Sequence, residues 1–131
     1  KKGWMPINLI YHIFTREDII NFYQKSKICL VTPLDDGMNL VSKEFVVAAS
    51  REKDPGIIVL SQFAGSAIDL TSALIINPYD IDEVAEAIKT GLEMGRPEKI
   101  RRMNKMAEAL EEKNIYAWTE DFVRAALDAS R

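Results

Sequence analysis

The chain has one cysteine, no long apolar run and no excess of basic residues. Because a disulfide needs two cysteines, Cys29 is expected to be a small buried hydrophobe in a protein of the reducing cytoplasm. No apolar run approaches the roughly 20 residues of a membrane-spanning helix. A net charge of -3 offers no basic surface for nucleic acid. We therefore expect neither a membrane nor a nucleic acid among its partners.

The remaining composition is that of a globular domain. The chain has 131 residues, of which 47% are hydrophobic and 28% are charged, and this suits a single folded domain. It opens "KKGWMPI", without an initiator methionine and almost directly in strand-like sequence. We therefore expect it to be part of a longer protein.

Short apolar segments alternate with segments that have helical periodicity. Strands are predicted at 5–14, 28–32, 57–60 and 73–78, and helices at about 16–25, 40–50, 80–94, 97–113 and 116–129. Thr15 and Asp18 have the spacing of a capping box at the first helix. Strands that are apolar on both faces indicate a parallel sheet. The predicted fold class is α/β, a parallel Rossmann-like sheet with helices on both faces and a helical C-terminus.

Several other side chains are predicted to be structural or solvated. His12 is predicted to be a strand residue without a catalytic role, and Lys43 a solvated helix residue. Trp118 and Phe122 are predicted to be core contacts of the last helix. The inward side of the helix over 97–113 is expected to carry apolar residues at helical spacing, namely Ile100, Met103, Ala107 and Leu110.

The segment "PLDDGMNLVSKE" follows the predicted strand 28–32, where ligands bind in parallel sheets. Gly37 permits a positive φ or the close approach of a ligand to the backbone. The amides of about Asn39 to Val41 are expected to be free at a helix start, where the dipole also favours anions. This combination predicts a site for a diphosphate.

Acidic residues flank that predicted anion site. Carboxylates close to a diphosphate would repel it, so Asp36 is expected to accept hydrogen bonds from neutral hydroxyls instead. Glu44, one helical turn after Leu40, is suited to the diol of a ribose. A phosphate site between two acids that bind hydroxyls is the pattern of a nucleotide-sugar. A plain surface turn remains the alternative for Asp35, Asp36 and Gly37.

Two strings, "VTPLDDGMNLVSKE" and "IIVLSQFAGSAIDLTSALIINPYD", resemble the trehalose-6-phosphate synthase family. The family consists of retaining glucosyltransferases of GT-B architecture, with two Rossmann-like domains. The resemblance covers nearly the whole chain. It implies that residues 1–131 are a partial nucleotide-sugar donor-binding domain, with the C-terminal helices beginning at about residue 80. It also implies a separate N-terminal acceptor domain outside this chain.

The resemblance assigns roles to the matching residues. It implies that Asp36 and the backbone of Gly37, Met38 and Asn39 hold the glucose hydroxyls. The amides of Leu40 and Val41 would meet the diphosphate, and Glu44 would bind the ribose. The base pocket would include Phe14 and Ile19. The loop "SQFAG" is expected to border the donor, with Gly65 allowing close approach.

The implied reaction transfers glucose from a nucleotide-glucose, UDP-glucose, to glucose 6-phosphate and gives trehalose 6-phosphate. The nucleotide-sugar is a substrate, so no cofactor and no metal are expected, and no residue of this chain is assigned as catalytic. Alternatives are a related enzyme with another acceptor, such as a glucosylglycerol-phosphate synthase, and a non-catalytic nucleotide-sugar-binding or regulatory module. A GDP donor and homo-oligomer formation are also left open.

Overall fold

The computed structural model describes residues 3–129 and confirms the α/β class. Its elements, in chain order, are α1 (Arg16–Lys25), β1 (Ile28–Val31), α2 (Leu40–Ala49), β2 (Ile57–Ser61), a single 3-10 turn (Gly65–Ile68), β3 (Leu74–Ile76), α3 (Ile81–Glu93), α4 (Arg96–Glu112) and α5 (Ile115–Ala129). Most boundaries lie within two residues of the sequence prediction. None of the helices in this part of the chain is long and apolar enough to cross a membrane.

Local side-chain chemistry fixes where the helices begin. The hydroxyl of Thr15 accepts a hydrogen bond from the Asp18 N–H, and the Asp18 carboxylate accepts one from the Thr15 N–H, which completes the predicted capping box of α1. At α3, Asp80 is the capping residue, since its carboxylate accepts from the N–H of Glu83 at 3.0 Å. These bonds satisfy amide groups that the first helical turn leaves without a partner.

The three strands form a parallel sheet in the order β1-β2-β3. Ile28 lies opposite Ile57 in the first pair, and Val59 lies opposite Leu74 in the second. All five residues of β2 are buried, as expected for a central strand that is covered on both faces. Because the strands are parallel, the loops that follow them meet at one edge of the sheet.

Helices cover both faces of the sheet. On one face, α3 packs so closely at Gly91 that an added Cβ would stand 2.8 Å from side-chain atoms of Ile28 and Ile57. On the other face, α2 packs on β1 and β2 and contributes Phe45 and Val46 to the core. The sheet therefore lies between α3 and a layer built around α2.

Two further helices enclose α2. The ring of Tyr23 on α1 meets the ring of Phe45 edge to face, with centroids 5.8 Å apart. From α4, Met103 and Met106 are buried in the same core, which agrees with the inward position predicted for Met103. Cys29 packs against this core but is only partly buried, rather than buried as predicted. Desolvation nevertheless raises the pKa of Cys29 to about 11, so this thiol stays protonated as a small apolar group.

The prediction of a strand over residues 5–14 is wrong. In the structure this segment has no strand, and its apolar side chains are exposed, with Tyr11 91% and Ile13 94% exposed. A sequence can favour an extended backbone, but a strand also needs a neighbour for its N–H and C=O groups. Residues 3–129 supply no such neighbour to this segment, so the sheet has three strands rather than four. His12 consequently lies in an exposed irregular segment, where its ring meets that of Phe14.

The predicted core role of the last helix is also wrong. No residue of α5 is buried, and Trp118 and Phe122 are 50% and 61% exposed. The two rings stack on each other, with centroids 5.4 Å apart, rather than on the sheet. The amphipathic pattern correctly predicted a helix, but within the described residues its apolar side is not covered.

Candidate functional site

The loop between β1 and α2 lies at the carboxyl edge of the sheet and is organised by Asp36. One carboxylate oxygen accepts hydrogen bonds from the N–H groups of Met38 (3.2 Å) and Asn39 (2.9 Å), and the other accepts from the Asn39 side-chain amide (2.9 Å). The Asn39 side-chain amide, followed by the two backbone N–H groups, holds the pKa of Asp36 below its ordinary value. Asp36 is therefore ionised and fixed at neutral pH.

Asn39 makes the turn into α2. Its φ of 52° lies in the left-handed region, which asparagine tolerates better than most residues. Its side-chain oxygen accepts a hydrogen bond from the N–H of Ser42 at 3.0 Å. Gly37 was predicted to permit a positive φ or the close approach of a ligand, and its φ is not positive. Among residues 3–129, and leaving out its chain neighbours, no atom lies within 4 Å of the position where a Cβ of Gly37 would stand, so that side of the backbone is open to approach.

The start of α2 presents two free amides. The amides of Asn39, Leu40 and Val41 were all predicted to be free. The N–H of Asn39 instead donates to Asp36, so only those of Leu40 and Val41 remain free. Neither of these N–H groups has a hydrogen-bond partner among residues 3–129, and both residues are exposed. Free N–H groups and the helix dipole both favour an anion at this position, and the diphosphate site stays a prediction.

A groove of about 680 Å³ runs between α1 and α2 from this helix start. Its lining residues come from the facing sides of the two helices: Arg16, Ile19, Ile20, Tyr23, Gln24, Leu40, Lys43, Glu44, Val47, Ala48 and Arg51. The structure thus brings the predicted residues Ile19, Leu40 and Glu44 together. Phe14 does not line this groove, because its ring packs edge to face on Phe22, with centroids 5.1 Å apart.

The groove has a mixed electrostatic character. Burial raises the pKa of Tyr23, and the carboxylate of Glu44 raises it further, which indicates that the two side chains are near each other. Arg16, Gln24 and Arg51 also line the groove and were missed by the sequence analysis. No local motif marks them, since the groove that they share with Glu44 forms where α1 packs on α2.

Lys43 differs from its expected place. Its ammonium group lies 3.0 Å from the carboxylate of Asp69, and only 28% of the side chain is exposed, so it is not a simple solvated residue. The same carboxylate lies 2.7 Å from the ammonium group of Lys113. Asp69 therefore joins α2 to the end of α4, a role that was not predicted from the sequence.

The site contains no cluster of metal ligands. Among residues 3–129, no three His, Cys, Asp or Glu side chains are arranged to hold a metal ion. The carboxylate of Asp36 accepts hydrogen bonds within the loop, and Asp35 is exposed beside it. The chemistry available at this edge is consequently that of backbone N–H donors, one fixed carboxylate and the groove with Glu44.

The family comparison covers the site and nearly all of the chain. The profile of glycosyltransferase family 20 matches residues 1–128. Trehalose-6-phosphate synthase of Enterobacter sp. (strain 638) is 48% identical over 122 residues, which are 93% of this chain and 26% of that relative. The corresponding protein of Klebsiella pneumoniae is 48% identical over 121 residues, 92% of this chain and 25% of its own length. The chain thus spans about a quarter of the length of these curated relatives.

Solved structures share the fold of this chain at substantial identity. An E. coli structure, described as trehalose-6-phosphate bound with UDP-2-fluoro glucose, superposes with a TM-score of 0.87 and 44% identity over 95% of this chain and 28% of its own. The UDP-forming alpha,alpha-trehalose-phosphate synthase of Burkholderia xenovorans, in complex with glucose-6-phosphate, gives a TM-score of 0.87 and 40% identity, over 95% of this chain and 27% of its own. The family profile matches nearly the whole chain, and relatives near one-half identity and solved structures share its sequence and fold. The chain therefore belongs to glycosyltransferase family 20.

Proposed function

We propose that this chain is the donor-binding part of a retaining glucosyltransferase that moves glucose from UDP-glucose to glucose 6-phosphate and forms trehalose 6-phosphate. The observation that carries the proposal is the pair of free amides at Leu40 and Val41, at a helix start where Leu40 lines the same groove as Glu44. An anion site beside a groove with an acid suits a nucleoside diphosphate. The E. coli relative bound with UDP-2-fluoro glucose and the Burkholderia relative in complex with glucose-6-phosphate support the choice of substrates.

Each part of the donor has a proposed place. The diphosphate accepts hydrogen bonds from the amides of Leu40 and Val41, and Glu44 accepts hydrogen bonds from the ribose hydroxyls. The base lies in the groove, against Ile19. Phe14 remains a proposed base-pocket residue, although in this structure it packs on Phe22. The glucose lies over the exposed backbone at Gly37 and Met38.

Asp36 is the proposed acceptor for the glucose. A carboxylate has about four lone-pair directions, and three are already used for Met38 and for the two groups of Asn39. One direction, on the oxygen that binds the Asn39 side chain, remains for a sugar hydroxyl. Asp36 can therefore bind one hydroxyl without giving up a loop contact, and a second hydroxyl would have to replace one.

The proposed chemistry needs no nucleophile from this chain. In the mechanism implied by the resemblance, the acceptor attacks the anomeric carbon on the same face from which the leaving group departs. The departing phosphate serves as the base. The contribution of these residues is then to position the donor and to stabilise the charge that develops on the diphosphate. The acceptor site and further cations for the diphosphate are proposed to lie outside residues 1–131.

The test of the donor site compares two glutamates. Glu44→Ala should raise the Kd for UDP at least tenfold, because a charge-assisted pair of ribose contacts contributes about 1.5 to 3 kcal/mol. Glu108→Ala, at an exposed position of α4 away from the groove, is the matched control and should leave the Kd unchanged. NMR titration with UDP should move the amides of residues 37–44 most. Shifts elsewhere, or an unchanged Kd for Glu44→Ala, would contradict the proposal.

The proposal also makes a prediction about activity. The 131-residue chain alone should not transfer glucose, because holding an acceptor against the anomeric carbon supplies roughly 7 to 11 kcal/mol of the barrier. The assay follows release of UDP from UDP-glucose with and without glucose 6-phosphate. Acceptor-dependent turnover on the order of one per second would show that the acceptor site lies within these residues.

A further inference from the structure

The turn after β2 lies directly against the loop that precedes α2. The N–H of Asp36 donates to the carbonyl of Phe63 at 3.3 Å, and the N–H of Gly65 donates to the carbonyl of Asp36 at 2.7 Å. These bonds form an isolated parallel bridge between Asp36 and Ala64. Two loops that are far apart in sequence are thus joined through their backbones at the carboxyl edge of the sheet.

Gly65 is required by the closeness of this contact. An added Cβ at Gly65 would stand 2.1 Å from the carbonyl oxygen of Gly37, 2.6 Å from its carbonyl carbon and 3.3 Å from the nitrogen of Met38. All three are backbone atoms, so no side-chain rotation can relieve the overlap. Gly65 was predicted to allow the close approach of the donor, whereas in the structure it allows the close approach of the Gly37 backbone.

A buried pair of hydroxyls makes the second link between the two segments. The hydroxyls of Ser42 and Ser66 are 2.7 Å apart, and the two residues are 0% and 1% exposed. The Ser42 hydroxyl also lies 2.8 Å from the carbonyl oxygen of Asn39. Because Ser42 belongs to the first turn of α2, Ser66 fixes the turn that presents the amides of Leu40 and Val41.

We propose that Gly65 and Ser66 are positioning residues for the donor, acting from behind the loop of residues 36–39. This inference rests on the proposed function. Neither residue belongs to the proposed set of donor contacts. Gly65 acts through the backbone of Gly37 and Met38, where the glucose is proposed to lie. Ser66 acts through Ser42 on the start of α2, where the diphosphate is proposed to lie.

The two residues therefore have different expected signatures. Gly65→Ala displaces the glucose end of the loop, so it should weaken binding of UDP-glucose at least fivefold while the Kd for UDP changes less than twofold. Ser66→Ala disturbs the helix start, so it should weaken UDP and UDP-glucose by the same factor, about three- to fivefold. At position 65, a residue that only stabilised the fold would not separate the two ligands as Gly65→Ala should.

Calorimetric titration of the 131-residue chain with UDP and UDP-glucose measures both signatures. Gly95→Ala is the matched glycine control, because only one atom lies within 4 Å of its added Cβ, at 3.9 Å. A parent chain that binds neither ligand overturns the proposed function and this inference with it. A parent chain that binds both, with the ratio of the two Kd values unchanged by Gly65→Ala, overturns the role of Gly65 alone.

A double-mutant cycle tests Ser66 even if Gly65→Ala fails to fold. Ser42→Ala leaves the Ser66 hydroxyl buried without its partner, whereas in Ser66→Ala the Ser42 hydroxyl keeps the carbonyl of Asn39. Ser42→Ala and Ser66→Ala should each weaken UDP binding, and the loss in the double variant should be smaller than the sum of the two single losses. Additive losses in the double variant, or a Kd for UDP unchanged in Ser66→Ala, would overturn the positioning role of Ser66.

Discussion

The carboxyl edge of the sheet and the two apolar ends of the chain have opposite characters. At the edge, Asn39, Ser42 and Ser66 are polar and nevertheless buried, and each is hydrogen-bonded. At the ends, residues 4–13 and helix α5 carry large apolar side chains that are exposed. The edge is therefore fixed by specific polar contacts, whereas the ends have apolar surface that residues 3–129 do not cover.

Helix α5 shows how an element can form without contributing burial. The side chain of Asn114 accepts hydrogen bonds from the N–H groups of Tyr116 and Ala117, and Arg124 pairs with Glu120 one turn away. These contacts are local, and no residue of the helix is buried. The free energy of unfolding should therefore depend on the core around α2 and hardly at all on α5.

The largest expected effect tests this contrast with two phenylalanines. Phe45 is 0% exposed and Phe122 is 61% exposed. Phe45→Ala should lower the free energy of unfolding by about 3 to 5 kcal/mol, because it removes a buried ring and leaves a cavity. Phe122→Ala should change it by less than about 0.5 kcal/mol. Urea unfolding followed by circular dichroism measures both values, and comparable losses would show that α5 is packed in solution.

A smaller effect is expected from two asparagines that cap helices. Asn39→Ala should cost about 2 kcal/mol of global stability, since it loses the cap and places alanine at a left-handed φ. Asn39→Gly tolerates that φ and should cost less. Asn114→Ala also loses a cap, but it should reduce only the helix content of 115–129. Hydrogen exchange resolves the two regions, and a global loss for Asn114→Ala would contradict the comparison.

The smallest effect concerns the ion pairs of Asp69. Desolvation raises the pKa of Asp69, but the hydrogen bonds from Lys113 and Lys43 outweigh it, and the pKa lies below its ordinary value. The carboxylate therefore stabilises the fold above the unfolded-state pKa of about 3.9, and this stabilisation is lost as the pH falls through the folded-state pKa. At pH 7, Asp69→Asn should cost about 1 kcal/mol, because the pairs are partly exposed.

The pH series is the check on that assignment. The difference between the parent and Asp69→Asn should shrink as unfolding is measured from pH 7 towards pH 3. Glu120→Gln, which removes an exposed pair on α5, is the control and should have almost no effect at any pH. A cost for Asp69→Asn that stays constant down to pH 3 would mean that charge is not the cause.

Sequence reasoning was most successful where the signal is local. The Thr15 and Asp18 spacing predicted a capping box that the structure contains, and the apolar runs before the loops at 32 and 62 predicted β1 and β2. Each of these features depends on residues within one turn or one strand. The free amides at Leu40 and Val41 were predicted for the same reason.

Features that depend on distant partners were missed or misplaced. The strand expected at 5–14 needs a neighbouring strand that residues 3–129 do not supply. The contact of Gly65 with Gly37 joins two loops separated by β2, and no sequence pattern in either segment predicts this contact. The groove lined by Arg16 and Arg51 exists only because α1 packs on α2. The free N–H groups of the candidate site were therefore easier to predict from the sequence than the tertiary contacts that hold them in place.

The exposure of the two tryptophans also determines what tryptophan fluorescence can report about this molecule. Trp4 is 72% exposed and Trp118 is 50% exposed, and the chain has no third indole. Both indoles lie in water-accessible segments outside the core, so their emission should already resemble that of an unfolded chain. Melting of the sheet will then leave the fluorescence nearly unchanged. The same two indoles will instead respond to anything that covers the apolar ends.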